Sequence, residues 1–183
     1  MPLERRATVI DSFSNAPEQI RDVINTHWLL LDNIEEQTLD FDEKTGELKE
    51  ITSQYCSSST ERYIIINRKK QNDEYGNVFR HEYGHYIDDV IGNYSESAEY
   101  NQAFKLDKKN FESTTNKGNA NLKEMLHDLS ENTSAFKSEY VSDILSALTI
   151  NNTEVMEFYK ENKMTYSYHN WEKYMLPMQE MKS

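Results

Sequence analysis

The sequence predicts an α+β domain, a short β-sheet with a larger set of helices. Three observations predict it. Glu61-Arg62-Tyr63-Ile64-Ile65-Ile66-Asn67 is a compact run of β-branched and aromatic residues, the composition of a strand. Tyr75, Val78, Phe79, Tyr83, Tyr86, Ile87, Val90 and Ile91 recur mostly at three- and four-residue spacing, the period of a helix. From residue 95 almost to the end the chain keeps that helical spacing. Strands and helices therefore do not alternate, which disfavours a parallel α/β fold.

Taken in order, residues 1–15 read as an N-terminal arm. An amphipathic helix is expected from Ala16 to Leu31, with Pro17 in its first turn, where a missing N–H costs nothing. One or two short polar strands should precede the Tyr63–Asn67 strand. The next helix is expected over 73–91, with Asn72 and Asp73 able to cap its start and Gly92-Asn93 supplying a left-handed stop. Gly84 lies inside it and costs about 1 kcal/mol relative to Ala. A bare backbone at that point lets another element approach closely. Segments 95–110, 120–131, 136–149 and 152–162 each carry apolar residues at helical spacing. The organisation expected is one domain: arm 1–15, helix and short strands 16–70, a central helix 71–93 and a helical part 94–183.

Composition bounds the function. With 183 residues the chain matches a usual single domain. A mean hydropathy of −0.87 is polar, but the aromatic residues spread along the chain argue against disorder. The net charge of −12 repels phosphate backbones, and Lys69-Lys70 and Lys108-Lys109 are too short to form a basic patch, so no nucleic-acid partner is expected. No apolar run approaches the roughly 18–20 residues that span a bilayer, so no membrane partner is expected. Met1-Pro2-Leu3-Glu4-Arg5-Arg6 is charged and lacks a following apolar stretch, unlike a signal peptide. The single Cys56 excludes an intrachain disulfide framework and fits a reducing cytoplasm.

The chemistry is concentrated in residues 81–85, His-Glu-Tyr-Gly-His. On a helix, positions i and i+4 share one face. His81 and His85 can therefore present two imidazole nitrogens to one Zn²⁺, with Glu82 beside them as the general base for an attacking water. An HExxH string arises by chance in roughly 1–2 % of shuffles of this composition, and the helical context lowers that further.

The longer string His81-Glu82-Tyr83-Gly84-His85-Tyr86-Ile87-Asp88-Asp89-Val90-Ile91-Gly92 resembles the active-site helix of anthrax lethal-factor-type metallopeptidases. It is similar to that of related proline-specific endopeptidases and of metallopeptidase-like domains in phage minor head proteins. The resemblance implies a small zincin-like domain, a bound zinc ion, peptidase activity, and a cytoplasmic or phage-associated location. In such peptidases an edge strand also holds extended substrate by main-chain pairing. These families usually close the site with a Glu followed by Phe-Ala or a similar pair on a later helix, a string this chain lacks.

The third ligand is open on sequence. The metzincin pattern is excluded, because it needs Gly at 88 and His at 91 where Asp88 and Ile91 stand. Glu139-Tyr140-Val141-Ser142-Asp143-Ile144-Leu145 looks like the glutamate helix of thermolysin-type zincins, which implies Glu139 as ligand. Asp143, one turn on, can accept the N–H of a ligating histidine and so fix its tautomer. Asp143 itself is an alternative ligand, and so are Glu124 (with His127 and Asp128), Glu96, Glu99 and Glu180. For the oxyanion of the tetrahedral intermediate, Tyr166, Tyr168 and His169 in the tail are the candidates, with Tyr168 and His169 preferred.

The function expected is a zinc-dependent endopeptidase acting on a peptide or protein substrate. The alternative, of a different class, is a catalytically silent binding or structural protein on a zincin scaffold. In that case an acidic helical surface contacts a protein partner, in a phage head for example.

Overall fold

The computed structural model describes residues 1–11, 13–14, 33–90, 92–113 and 138–140, and the single positions 142, 144, 157, 160, 167 and 169. The helices expected over 16–31 and 120–131 lie outside the described residues, as do Asp143, Tyr166, Tyr168, Glu124, His127, Asp128 and Glu180. What is described is an α+β arrangement of a small sheet and several helices.

The sheet has three strands in the order β1-β5-β4. Strand β5 (Arg62–Asn67) is central, β1 (Asn33–Gln37) runs parallel to it, and β4 (Ser53–Ser57) runs antiparallel along its other side. The β5 run Ile64-Ile65-Ile66 is buried, with Ile64 and Ile66 at 0 % exposure, as a strand covered on both faces requires. Tyr55 pairs with Ile64 and Ser53 with Ile66, so these residues share the face turned to the helices. Strand β4 is thereby an edge strand beside the helical layer.

A separate antiparallel hairpin, β2 (Leu39–Asp42) and β3 (Glu47–Glu50), was not resolved by the sequence pattern, which allowed for two polar strands where four precede or flank β5. Both its strands are almost wholly exposed, so hydrophobic alternation has little to act on. Its turn is built locally: Asp42 Oδ1 accepts from the N–H of Lys44 and Thr45, and Gly46 closes it at φ 72°.

Helix α1 (Leu3–Asp11) replaces the expected arm. Its inward residues are Val9 and, just beyond the helix, Phe13, with Arg5 one turn before them. Arg5 takes an apolar slot by snorkelling. Its guanidinium lies 4.6 Å over the Tyr75 ring and donates to Asn72 Oδ1 and the Lys70 carbonyl. A stripe with a cation in it hides from a hydrophobic count.

Helix α2 (Asn72–Val90) is the 19-residue centre of the fold, within one residue of its expected bounds. Its cap is Gln71 rather than Asn72 or Asp73. The Gln71 carbonyl accepts from Tyr75 N, and the Glu74 carboxylate reaches back to the Gln71 N–H, half of a capping box. Tyr75, Phe79, Tyr83, Tyr86 and Ile87 are all 0 % exposed. Phe79, Tyr83 and Tyr86 form a ladder of rings against Phe13 and Tyr55, with centroids 5.2–5.9 Å apart. The expected stop is realised: Gly92 and Asn93 are left-handed at φ 95° and 56°. Asn93 N donates to the Asp88 carbonyl and Gly92 N to that of Asp89, a Schellman end.

A 3₁₀ turn (Tyr94–Glu96) leads into α3 (Ala98–Ser113), where Ser97 Oγ caps the Tyr100 N–H. Tyr100 and Phe104 of α3 are buried, and Asp107, at 0 % exposure, accepts from the Tyr140 hydroxyl and the Ser167 N–H. Residues 138–140, 142 and 144 are helical, within the helix expected over 136–149. No helix among the described residues is long and apolar enough to cross a membrane.

Candidate metal centre

The buried tyrosine ladder orients α2 so that its opposite edge carries His81 and His85 into a cleft of about 540 Å³. Helix α2 and the 138–139 turn form two of its walls and edge strand β4 the third. The two rings stand nearly perpendicular, centroids 4.9 Å apart, as successive turns of one helix face place them.

Glu139 closes the group. Its Oε2 lies 2.9 Å from His81 Nε2 and its Oε1 3.3 Å from His85 Nε2. One donor atom from each of His81, His85 and Glu139 falls within 4.8 Å of the others, the one such group of three among the described residues. Tetrahedral zinc with bonds of about 2.0–2.1 Å holds its ligand atoms roughly 3.3 Å apart. Two imidazole nitrogens and one carboxylate are the donor types zinc takes, and the three lie close enough together to converge on one ion. Burial pushes the Glu139 carboxyl up, but hydrogen bonds and charge from His81 and His85 outweigh it and hold the group well below the usual carboxylate range.

The close approach that delivers Glu139 is made possible at Gly84. A Cβ there would stand 2.7 Å from the Ser142 Cα, closer than unbonded carbons come. The glycine that weakens the helix is the contact point of the element that brings the third acid.

Glu82 is buried, at 5 % exposure, and lines the same cleft. At the far end, Tyr55 donates to Asp89 Oδ2 at 2.6 Å and the Arg62 Nε donates to the same oxygen at 2.9 Å. Burial and the Asp89 charge push the Tyr55 phenol well above its usual value, so it stays a protonated wall of the cleft. Asp88 also lines the cleft, and its carboxylate accepts from the Ser95 N–H and hydroxyl and fastens the turn after α2.

The structure therefore brings together His81, Glu82, His85 and Glu139 of the residues singled out by sequence. Glu96 and Glu99 are exposed and outside the group. His169 is exposed and does not line this cleft. Sequence reasoning missed Ser138, whose Oγ lies 2.9 Å from His85 Nδ1, and the Tyr55–Asp89–Arg62 cluster. Ser138 precedes Glu139 directly, which was its one available signal. Comparison of the chain with family models, with curated proteins and with solved structures returns no match.

Proposed function

We propose that this chain is a zinc-dependent endopeptidase of the zincin kind, with His81, His85 and Glu139 as zinc ligands. The observation that carries the reading is the convergence of two Nε2 atoms and one carboxylate, 2.9 and 3.3 Å apart, beside a buried Glu82. Three protein ligands leave one tetrahedral position for chemistry, the pattern of catalytic rather than structural zinc sites. A bound Zn²⁺ there supplies Lewis-acid polarisation of the scissile carbonyl and acidifies water at neutral pH.

The remaining work falls to the chain itself. Glu82 lines the same cleft as the two histidines. It takes a proton from the attacking water and returns it to the leaving amine. The edge of β4 lies along the cleft and offers main-chain N–H and C=O groups to an extended peptide. Tyr55 gives its hydroxyl to Asp89 and so is not the oxyanion donor in this reading, a role for which Tyr168 stays the candidate from sequence. The test is a peptide-library screen of zinc-loaded protein alongside Glu82→Gln. Cleavage by the parent and loss of cleavage, with zinc retained, in the variant are expected. Equal activity of the two in the biological assay would refute it.

A second reading keeps the scaffold without the chemistry, a binding or structural protein that contacts a protein partner. Its supporting observation is the β2–β3 hairpin, where Phe41 stands opposite Leu48 with Leu39 two residues along the same face. These side chains are 56 %, 67 % and 51 % exposed among acidic neighbours. Under this reading, Ser substitutions at the three positions abolish partner binding while Glu82→Gln changes nothing.

A further inference from the structure

The His85 imidazole is held on both nitrogens by consecutive residues. Nε2 faces Glu139 Oε1 at 3.3 Å, and Nδ1 faces Ser138 Oγ at 2.9 Å. Side chains at adjacent helical positions diverge by about 100°, so a ring standing between them receives one on each edge. The His85 side chain is 14 % exposed, which leaves little room for water to replace a lost partner. The two carboxylates next along α2 are committed elsewhere, Asp88 to Ser95 and Asp89 to Tyr55 and Arg62.

We infer that Ser138 is the positioning residue of His85: its hydroxyl accepts the Nδ1–H and so turns the Nε2 lone pair toward the metal. The inference rests on the zinc reading of His81, His85 and Glu139. An imidazole nitrogen ligates only when it carries no proton, so a ring bound through Nε2 keeps its proton on Nδ1 and needs an acceptor there. A serine oxygen is such an acceptor. It fixes the ring without adding a further negative charge to a cleft that already holds Glu82 and Glu139. Gly84 makes the grip feasible, since the helical turn carrying Ser138 packs one turn away through Ser142.

The test compares zinc dissociation constants, by competition with a chromophoric chelator, for the parent chain, Ser138→Ala, Ser138→Thr and Ser138→Val. Threonine and valine have the same shape and differ in the hydroxyl, so this pair separates hydrogen bonding from packing if the alanine variant folds poorly. Loss of an outer partner of this kind weakens metal binding about 10–100-fold. That loss is expected for Ala and Val, with Thr close to the parent. ¹⁵N-edited NMR of the zinc-loaded proteins should show a protected His85 Nδ1–H in the parent and Thr variant. In the Val variant solvent exchange should broaden it. If the parent binds zinc and Val binds it equally, with the Nδ1–H still protected, Ser138 has no such role and the zinc site stands. If the parent takes up no zinc at all, the zinc reading falls and the inference with it.

Discussion

Replacing Gly84 by alanine tests how tightly the third acid is delivered. The added methyl carbon would meet Ser142 Cα at 2.7 Å, Cβ at 3.0 Å and Oγ at 3.1 Å. Carbon atoms in contact rest about 3.5 Å or more apart, so the Glu139 turn must retreat by about 0.8 Å. The nearest atom is backbone, so no rotamer change relieves the clash, and Ser142→Gly should not rescue it. Two terms oppose each other in stability. The helix gains about 1 kcal/mol from Gly to Ala, and overpacking costs about 1–3 kcal/mol. The net loss is about 0–2 kcal/mol, a fall in Tm of a few degrees for a chain of this size. Metal binding is less forgiving, since ligand distances are held within about 0.2 Å. We expect zinc affinity to fall by at least about tenfold, more than the small stability change would suggest. Chelator competition and a thermal melt of the same sample measure both. A Gly84→Ala protein that binds zinc as tightly as the parent would refute the claim that this contact sets the position of Glu139.

Glu139→Ala should remove zinc from a protein that otherwise stays folded, read as about one ion per chain falling to none by elemental mass spectrometry. Acid should have two effects. Zinc binds imidazole only in its unprotonated form, so loading should fall as the pH is lowered. In metal-free protein the Glu139 carboxyl is held low in the fold, so its stabilisation is full above its ordinary value of 4.5 and is lost as pH drops below it. Glu139→Gln should therefore flatten the acid limb of a Tm-versus-pH curve, and an unchanged limb would contradict the pairing. Arg5→Ala removes a cation–π contact and hydrogen bonds to Asn72 and Lys70, and should cost about 1–3 kcal/mol, seen in urea melts, with zinc affinity unchanged.

Much of this architecture was legible because it is local. The tyrosines of α2 repeat at helical spacing, the β5 isoleucines form one run, and Gly92-Asn93 marks a stop that needs left-handed backbone. What escaped did so for nameable reasons. The inward face of α1 has a cation, Arg5, among its apolar residues. The hairpin strands bury neither face and so leave no period to read. The cap of α2 lies one residue before the expected pair, because Glu74 satisfies the N–H of Gln71 and no special residue is needed at the cap itself.

The site divides along the same line. His81, Glu82 and His85 were legible because a single helical turn fixes their relation, whatever the rest of the chain does. Glu139 stands 58 residues from His81, and no spacing rule connects them. The likeness of residues 139–145 to a glutamate helix pointed to it, and tertiary packing then sets it apart from the other acids of a chain with 32 Asp and Glu. The sequence did contain a trace of that packing, in a glycine whose cost inside a helix demanded a close neighbour. Ser138 left no trace beyond its place next to Glu139, since a serine before a glutamate is commonplace until a ring nitrogen is found 2.9 Å from its oxygen. A motif on one helix is therefore legible from spacing alone, whereas its partners on a second helix are reached only through likeness of strings or through packing.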